Sequence, residues 1–360
     1  LRQQISRSEP LKTDQITAMT RRAVNLVGGM AAFVESDAKL VAIKANISIL
    51  EPSGSGVVTD ARVVRAVALL VHEVAPQAKI LIVEGAGGWV SPALRDCTDA
   101  RVGNWIHDGF AVAGHRNTEA ELQSMGIDIE CFDLNFDRAY ELRPEGGGLA
   151  HQEYSIAATI IDADTWINVP VAKTHGAKIT CSLKNHFGIL PGTIYGWSKA
   201  NGTAHHGPMP HSPRVLDEAW VDLYEVSRVD LNVVDMIAGS EAGAFEEDHT
   251  HRSNMILAGA NPIATDLVVA RLMGFNPDDF EFAALAARQG LGPRFIEDVN
   301  VHGVEGLQPL VSRWKKAGVA YGSGDEWAAH ANYGMGPREW TLLGLLPRDH
   351  IFAADTIEKI

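Results

Sequence analysis

Residues 169–192, "VPVAKTHGAKITCSLKNHFGILPG", place three lysines and two histidines in an otherwise apolar segment. A lysine beside partly buried apolar residues loses some of its preference for the charged form, as a catalytic amine requires. An imidazole is the usual acid–base group near neutral pH and a common ligand of transition metals. We therefore predict that Lys173, His175 and Lys184 are catalytic. The alternative for Lys184 is a surface lysine whose stem covers apolar neighbours.

Histidines are concentrated in and just after this segment. Five of the 14 histidines lie within residues 175–211, and the Gly and Pro content of "AHHGPMPH" predicts a loop there. Side chains on such a loop can converge on a cleft. We predict a divalent metal (nickel, zinc or iron) with ligands drawn from His175, His205, His206 and His211. Because His205 and His206 are adjacent, only one of them is expected to ligate. The alternative is that the loop histidines are solvated.

The chain alternates short apolar runs with helical periodicity, which is typical of an α/β protein. We predict mainly parallel sheets flanked by helices, in two lobes with a cleft at the carboxyl-terminal ends of the strands. The tract "RPEGGGLAHQ" is the best candidate for a linker. The predicted units are an N-terminal lobe at 1–145, a second lobe carrying the Lys/His block at 151–306, and an extension wrapping the body at 307–360.

The spacing of apolar residues places the individual elements. Strands are predicted near 39–43, 79–83, 127–133, 165–169, 229–235 and 254–258. Helices are predicted for "TDARVVRAVALLVHEVAP", with Thr59 or Asp60 as N-cap, and near 151–161, 178–187 and 263–274.

Polar residues follow nearly every predicted strand. In open α/β sheets, ligands bind beyond the carboxyl ends of the strands, where the strand order reverses. We therefore predict a substrate- or anion-binding set, in which Asp235 or Glu84 also orients His175: Lys44, Asn46, Glu84, Gly87, Asn185, Asp235 and Asp266. The alternatives are that strand ends are polar because they are exposed, and that "EGAGGW" is a plain tight turn.

Composition and missing motifs exclude several classes of function. The net charge of −14 disfavours nucleic-acid binding, and no apolar run approaches the roughly 20 residues of a membrane span. Three cysteines without a CxxC provide no iron–sulfur cluster. Val90 breaks the dinucleotide fingerprint and no P-loop is present, so neither NAD nor ATP is expected. The expected partner is a small-molecule substrate, and a homo-oligomer is compatible with the sequence. The expected location is the cytoplasm, or outside it if an export signal was trimmed before Leu1.

The chain resembles domain-of-unknown-function family 362 over about residues 40–305. The blocks that carry the resemblance occur in the family's order: "LVAIKANIS…SGVVTDARVVRAV", "ILIVEG", "ADTWINVPVAKTHGAKITCSLKNHFGILPG", "VDLNVVDMIAG" and "LAGANPIATDLVVARLMG". The family's usual Lys-Pro-Asn appears here as Lys44-Ala45-Asn46. Many members carry ferredoxin-type cysteine clusters, which this chain lacks, and the resemblance implies no agreed activity.

A fainter resemblance is to the nickel-pincer lactate racemase family. The order strand, Pro, His, small residues, Lys, Leu-Pro-Gly and later His is similar to that family's central block. The resemblance implies that Lys184 tethers a pincer nucleotide, and that His175 with His205 or His206 binds nickel or moves protons. Because "AKITCSL" replaces the family's glycine-rich approach to its lysine, the resemblance favours a shared fold over a tethered cofactor.

These observations together predict an enzyme that acts on a small anionic or carbonyl-bearing substrate. Lys173 and Lys184 would hold the anion or stabilise developing negative charge, and His175 would act as an acid–base group or metal ligand. Isomerase, racemase or lyase chemistry fits, since no nucleophile–base triad is visible. The alternative is a non-catalytic module that binds a metal or a small anion.

Overall fold

The computed structural model describes residues 10–48, 50–85, 108–175, 178–195, 199, 213–241, 250–303 and 357–359. The strands in these ranges are β1 (Leu40–Lys44), β2 (Lys79–Glu84), β3 (Ile129–Asp133), β4 (Ala139–Leu142), β5 (Tyr154–Ala157), β6 (Thr165–Asn168), β7 (Lys173–His175), β8 (Lys178–Thr180), β9 (Leu231–Ser240), β10 (Thr250–Gly259) and β11 (Ile357–Lys359). The helices are α1 (Thr13–Leu26), α2 (Ala61–Val74), α3 (Gly109–Val112), α4 (His115–Ser124), α5 (Ala158–Asp162), α6 (Ser182–Asn185), α7 (Gly192–Tyr195), α8 (Pro213–Ser227), α9 (Pro262–Leu272) and α10 (Glu281–Arg288).

Six strands form the main sheet, in the order β10-β9-β6-β1-β2-β3. All neighbours are parallel except β10, which runs antiparallel to β9 along one edge. The chain builds outward from β1 through β2 to β3, and later adds β6 and β9 on the other side of β1. The strand order therefore reverses at β1, which is where open α/β sheets bind ligands. The predicted α/β class with a mainly parallel sheet is confirmed.

Apolar side chains cover both faces of this sheet. Along β1, Val41 and Ile43 belong to a cluster with α1 and α2, while Ala42 belongs to a cluster with α8, α9 and α10. This alternation follows from the two-residue repeat of a strand, and burial on both faces explains why the parallel strands read as continuous apolar runs. Helix α2 begins after Asp60, whose side chain accepts a hydrogen bond from the Arg62 amide, as its sequence predicted.

Two predicted helices differ from the structure. The segment predicted as a helix near 151–161 starts as strand β5, which pairs antiparallel with β4, and becomes helical only in α5. The segment predicted near 178–187 starts as β8, which pairs with β7, and α6 follows as a single turn. In both cases pairing with a neighbouring strand overrides local helical periodicity.

Strands from both sides of the predicted linker belong to the one main sheet, because β6 pairs with β1. The boundaries 1–145, 151–306 and 307–360 themselves remain predictions. Of the proposed C-terminal extension, the described part is β11, which runs parallel to β4 in a three-stranded sheet with β5. Among the described helices, none is both long and apolar enough to cross a membrane.

A buried carboxylate organises the segment that the sequence suggested as a linker. Asp222, on α8, is fully buried. Its oxygens accept hydrogen bonds from the amides of Leu149 and Ala150, both at 2.8 Å, and from the Tyr154 hydroxyl at 2.6 Å. These hydrogen bonds fix the segment to α8, one of the helices that pack on the main sheet.

We expect Asp222→Ala to lower the free energy of unfolding by about 3 kcal/mol or more, because it leaves several buried donors without an acceptor. Tyr154→Phe removes only one of these donors and should cost about 1 kcal/mol. Urea denaturation of both variants beside the wild type measures the difference. Equal losses in the two variants would contradict the organising role of Asp222.

Candidate functional site

A buried ion pair joins the carboxyl ends of β1 and β2. The Lys44 ammonium lies 3.0 Å from each oxygen of Glu84, and the two side chains are 0% and 3% exposed. Parallel pairing of Lys44 with Val83 brings the two strand ends side by side. Burial lowers the pKa of Lys44, and the Glu84 carboxylate opposes that shift.

A chain of amide side chains extends from this pair across the sheet. Asn185 on α6 accepts hydrogen bonds through Oδ1 from Lys44 Nζ at 3.1 Å and from Asn46 Nδ2 at 3.0 Å. Its Nδ2 donates to Asn168 Oδ1 at 2.7 Å, and Asn168 Nδ2 donates to Asn232 Oδ1 at 3.0 Å. The network links the ends of β1 and β6 and the start of β9 to α6, and each amide in it serves as both donor and acceptor.

Gly188 closes over the ion pair. A Cβ at this position would lie 1.8 Å from Glu84 Oε1 and 2.5 Å from Lys44 Nζ, so no side chain fits. The Gly188 carbonyl also accepts a hydrogen bond of 2.8 Å from the Gly85 amide. The glycine that ends the sequence "LKNHFG" is therefore required by close packing against the pair.

Lys173 lies in β7 with its ammonium fully enclosed. Its Nζ donates to Asn46 Oδ1 at 3.0 Å, Ser48 Oγ at 3.3 Å and the Val57 carbonyl at 2.6 Å. Burial, followed by the charge of Lys184, holds the pKa of Lys173 well below its usual value. The three N–H donors of this ammonium have three acceptors, so Lys173 ties β7 to the loop after β1.

Lys184 is the partly buried lysine of α6. The first turn of this helix is held by Asp266, whose two oxygens accept the amides of Ser182 and Leu183 at 2.8 and 3.0 Å. Burial and the charge of Lys44 lower the pKa of Lys184 to about 8. Within the described ranges, its ammonium has no hydrogen-bond acceptor. Lys184 is thus placed beside the ion pair with its donors available.

Lys199, which the sequence did not single out, joins the same group. It is 5% exposed, and its ammonium donates to Asn135 Oδ1 beyond the end of β3. Burial lowers its pKa to about 7, while Asp133 and Glu84 oppose the shift. No local pattern in "YGWSKANG" distinguishes this lysine. Only the tertiary structure brings it to the strand ends.

Two carboxylates of the predicted anion-binding set accept hydrogen bonds from backbone amides. Asp235 accepts hydrogen bonds from the amides of Asp60 and Ile237, at 2.9 and 3.0 Å, and Asp266 caps α6 as described. Burial, followed by the charge of Asp60, raises the pKa of Asp235 to about 7, and burial raises that of Asp266 to about 6. Their binding roles remain predictions, while their positions fix the elements around the lysines.

The predicted metal ligands fall largely outside the described residues, as does Gly87. His205, His206 and His211 lie there, and for His175 the structure gives only the backbone, paired with Lys178 in the β7–β8 hairpin. In the part of the chain that is described, no group of three or more His, Cys, Asp or Glu side chains could hold a metal. The metal site therefore remains a prediction.

His186, in the same block, is buried between aromatic rings. Its Nδ1 donates to the Ser182 carbonyl at 2.9 Å, and its ring lies edge-on to Trp166 and Tyr224. Burial lowers its pKa to about 4, so the ring is neutral at physiological pH. This histidine packs under α6.

Comparison with known proteins identifies the family. The family described as "Domain of unknown function (DUF362)" matches residues 41–271, which is more than half of the chain. The chain belongs to this family. A comparison with curated proteins finds no match to this DUF362 chain.

The solved structures that are similar to this DUF362 protein include the lactate racemase apoprotein from Thermoanaerobacterium thermosaccharolyticum. The TM-score is 0.40 and the sequence identity is 12%. The similarity covers 68% of this chain and 52% of that protein, so it spans about half of the racemase's length.

We expect Glu84→Gln to destabilise this DUF362 protein by about 3–5 kcal/mol, because it leaves the Lys44 charge buried without a counter-ion. The double variant Lys44→Met/Glu84→Gln removes that charge and should regain a large part of the loss. Urea denaturation of the single and double variants measures both effects. A double variant less stable than Glu84→Gln would contradict this account of the pair.

The raised pKa of Asp235 predicts a pH dependence of stability. Between about pH 4 and pH 7 the folded chain keeps a proton on this carboxyl that the unfolded chain releases. This group therefore lowers stability as pH rises through that window, by up to about 1.4 kcal/mol per pH unit.

Asp235→Asn should remove that slope, whereas Asp37→Asn at an exposed position should not. The free energy of unfolding measured at pH 4.5, 5.5 and 6.5 gives the slopes. Parallel curves for wild type and Asp235→Asn would show that this carboxyl does not titrate there.

Proposed function

We propose that this protein is an enzyme of the isomerase, racemase or lyase type that acts on a small anionic or carbonyl-bearing substrate at the ends of β1, β2 and β6. The observation that supports it is an excess of lysines around one carboxylate. Glu84 acts electrostatically on four of them: Lys44, Lys173, Lys184 and Lys199. Buried charge without a counter-ion is costly. An anionic ligand supplies the missing negative charge.

Lys184 is the best-placed group for chemistry. A pKa of about 8 lets its amine gain or lose a proton near neutral pH, which is the property that a general acid or base needs. When protonated, it stabilises the negative charge that develops as a proton leaves the carbon next to a carbonyl or carboxylate. In this proposal His175, at the tip of the neighbouring hairpin, supplies the second acid–base group.

The metal-assisted form of this chemistry depends on His175, His205, His206 and His211. The steps proposed for Lys184 use the protein's own amine and do not depend on a metal. Elemental analysis of the purified protein distinguishes the two forms. Stoichiometric nickel, zinc or iron would support the histidine site, whereas metal-free protein that retains activity would support the lysine site alone.

The test is proton exchange in D₂O. Small 2-hydroxy acids, 2-oxo acids and other carboxylates are incubated with the protein, and NMR detects deuterium at the carbon next to the carboxyl or carbonyl group. We expect exchange with at least one of them. Lys184→Met should slow it about 100-fold or more, because an acid–base group contributes at least that much.

Lys39→Met is the matched control, since it removes an exposed lysine outside the site. It should leave the exchange rate unchanged. Circular dichroism and melting of both variants verify that they fold. Exchange that persists at the wild-type rate in folded Lys184→Met would overturn the assignment of Lys184.

A non-catalytic module for small anions is the alternative. Two observations favour it: the ammonium groups of Lys44 and Lys173 have acceptors for all their N–H donors, and His186 is packed between aromatic rings. Few mobile acid–base groups therefore remain among the described residues. Tight anion binding without exchange for any compound in the panel would support this alternative over the enzyme.

A further inference from the structure

A cavity that shares no residue with the lysine site lies along the outer edge of the main sheet. Its volume is about 720 Å³, and it is lined by residues of α1, β10, α9 and the segment 298–303. A cavity of this size is typical of a ligand site. Three strand spacings, or roughly 14 Å, separate β10 from β1 in the sheet. The cavity is therefore distinct from the candidate site at the end of β1.

The backbone of β10 forms part of the cavity lining. Six consecutive residues, 255–260, line it. The side chains of these residues alternate, since Met255 and Leu257 pack against the cluster that contains α9, while Ile256 and Ala258 pack against the cluster that contains α1. Consecutive residues of a strand can line one cavity only along the strand's free edge.

The hydrogen bonds of β9 show which backbone groups of β10 point into the cavity. The Asp235 amide donates to the Pro170 carbonyl, and the Asp235 carbonyl accepts from the Ala172 amide, so both groups face away from β10. Ile256 lies opposite Asp235 in the antiparallel ladder. Opposite residues in such a ladder alternate between hydrogen-bonded and non-hydrogen-bonded pairs. Ile256 and Ala258 therefore direct their N–H and C=O groups away from β9, along the cavity.

These two N–H and two C=O groups have no partner in the part of the chain that the structure describes. Both residues are half-buried, and enclosed backbone groups are nearly always paired. A further strand alongside β10 would pair all four groups. An alkyl chain in the same cavity would leave them without partners, so the polar edge favours a peptide over a lipid.

Apolar side chains from both faces of the sheet flank this polar edge. Met19 and Leu26 of α1 lie on one side, and Val268 and Leu272 of α9 lie on the other. Leu26 is 39% exposed. An extended peptide directs alternate side chains to opposite sides, so each wall would receive every second side chain. Backbone pairing with pockets for alternate side chains is the recognition mode of strand addition.

The segment 298–303 opposes pairing between the β10 edges of two copies of this chain. Its Val299 and Val301 pack against the cluster that contains α9, and Gly303 reaches α1, where a Cβ would lie 2.5 Å from Leu26 Cδ1. The segment thus extends from one face of the sheet to the other beside the edge of β10. Two recessed edges cannot approach to the roughly 4.8 Å of paired strands, whereas a single extended segment is narrow enough to enter.

Arg22 gives the cavity a charge preference. It is exposed on α1 and lines the cavity, and no acceptor among the described residues contacts it, whereas the adjacent Arg21 pairs with Glu73. The other charged residue of the lining, Asp298, belongs to the segment 298–303. An acidic residue in the bound segment would complement the unpaired guanidinium of Arg22.

We propose that the cavity binds an extended apolar segment of a partner protein, which adds as a strand to the outer edge of β10 and places an acidic residue beside Arg22. Residues 255–259 of β10 offer roughly 17 Å of edge, which corresponds to a segment of about five residues. This binding surface is additional to the proposed enzymatic function and does not depend on it.

Peptide display on the full chain tests the proposal. The probes are heptapeptides with valine, isoleucine, leucine or phenylalanine at alternate positions, any residue between them, and aspartate or asparagine at the last position. We expect specific peptides to be enriched, with aspartate preferred at the end. Calorimetry with the resynthesised peptides then measures their affinity. The absence of any enriched peptide would overturn the proposal.

N-methylation of the bound peptide distinguishes strand addition from burial of apolar side chains alone. A strand directs alternate amides to its neighbour, so methyl groups on one alternate set of amides should weaken binding about tenfold or more. Methyl groups on the intervening set should have an effect of less than about threefold. Equal effects of the two sets would contradict strand addition.

Variants of the cavity locate the peptide. Ala258→Pro removes a donor that faces the cavity and is not bonded to β9, and should weaken binding about tenfold. Ala264→Phe extends a side chain into the cavity from α9 and should also block binding, which provides a second variant should Ala258→Pro fail to fold. Ala111→Phe, at an exposed position outside the cavity, is the matched control and should bind as the wild type does.

Arg22→Met should remove the preference for aspartate over asparagine, which we expect to be about threefold at low salt, whereas Arg288→Met at an exposed position should not. Unchanged binding in folded Ala258→Pro and Ala264→Phe would overturn the assignment to β10. Tighter binding of dodecanoate than of any peptide would instead assign the cavity to a lipid. A dimer of the full chain that Ala264→Phe dissociates would assign it to a second copy, and either result would overturn the proposal. Melting curves verify that each variant folds.

Discussion

The buried pair of Lys44 and Glu84 is the interaction on which the rest of the site depends. Two opposite charges out of contact with water are tolerated only when each is paired and fully hydrogen-bonded. The pair holds the ends of β1 and β2 side by side. Lys44 also donates to Asn185, which positions α6 next to these strand ends. The close packing of Gly188 against the pair leaves no space for a side chain at that position. The pair thus forms the fixed centre of the candidate site, and Lys173, Lys184 and Lys199 lie around it.

The polar side chains around this centre differ in whether all their hydrogen-bonding groups have partners among the described residues. Asp222, Asp235 and Asp266 accept hydrogen bonds from backbone amides, and Asp222 also accepts one from the Tyr154 hydroxyl. They therefore position loops and helix starts. Lys44 and Lys173 likewise have all their donors occupied. Lys184 and Lys199 differ, since their donors exceed the acceptors that the described residues provide. Hydrogen bonding therefore distinguishes lysines whose donors are all occupied from lysines that keep donors available to a ligand.

The position of the candidate site corresponds to the reversal of strand order at β1. Strands β2 and β6 lie on opposite sides of β1, and open α/β sheets bind ligands where the strand order reverses in this way. The β7–β8 hairpin and α6 both follow β6 in the chain, and their residues Lys173 and Asn185 donate to or accept from groups at and just after the end of β1. The segment rich in lysine and histidine is thereby delivered to the point where a parallel sheet best accepts a ligand.

The sequence by itself determined the parallel α/β class, most of the strands of the main sheet, the start of α2 after Thr59 or Asp60 and the membership in DUF362. These depend on local periodicity, capping and motif order, which are encoded within short segments. The tertiary structure decided that residues 154–157 form a strand, that 178–180 pair in a hairpin, and that Lys199 joins the site. It also decided which lysines are saturated, because the acceptors come from distant positions: Lys44 and Asn185 are 141 residues apart. Such contacts have no signature in the neighbouring sequence.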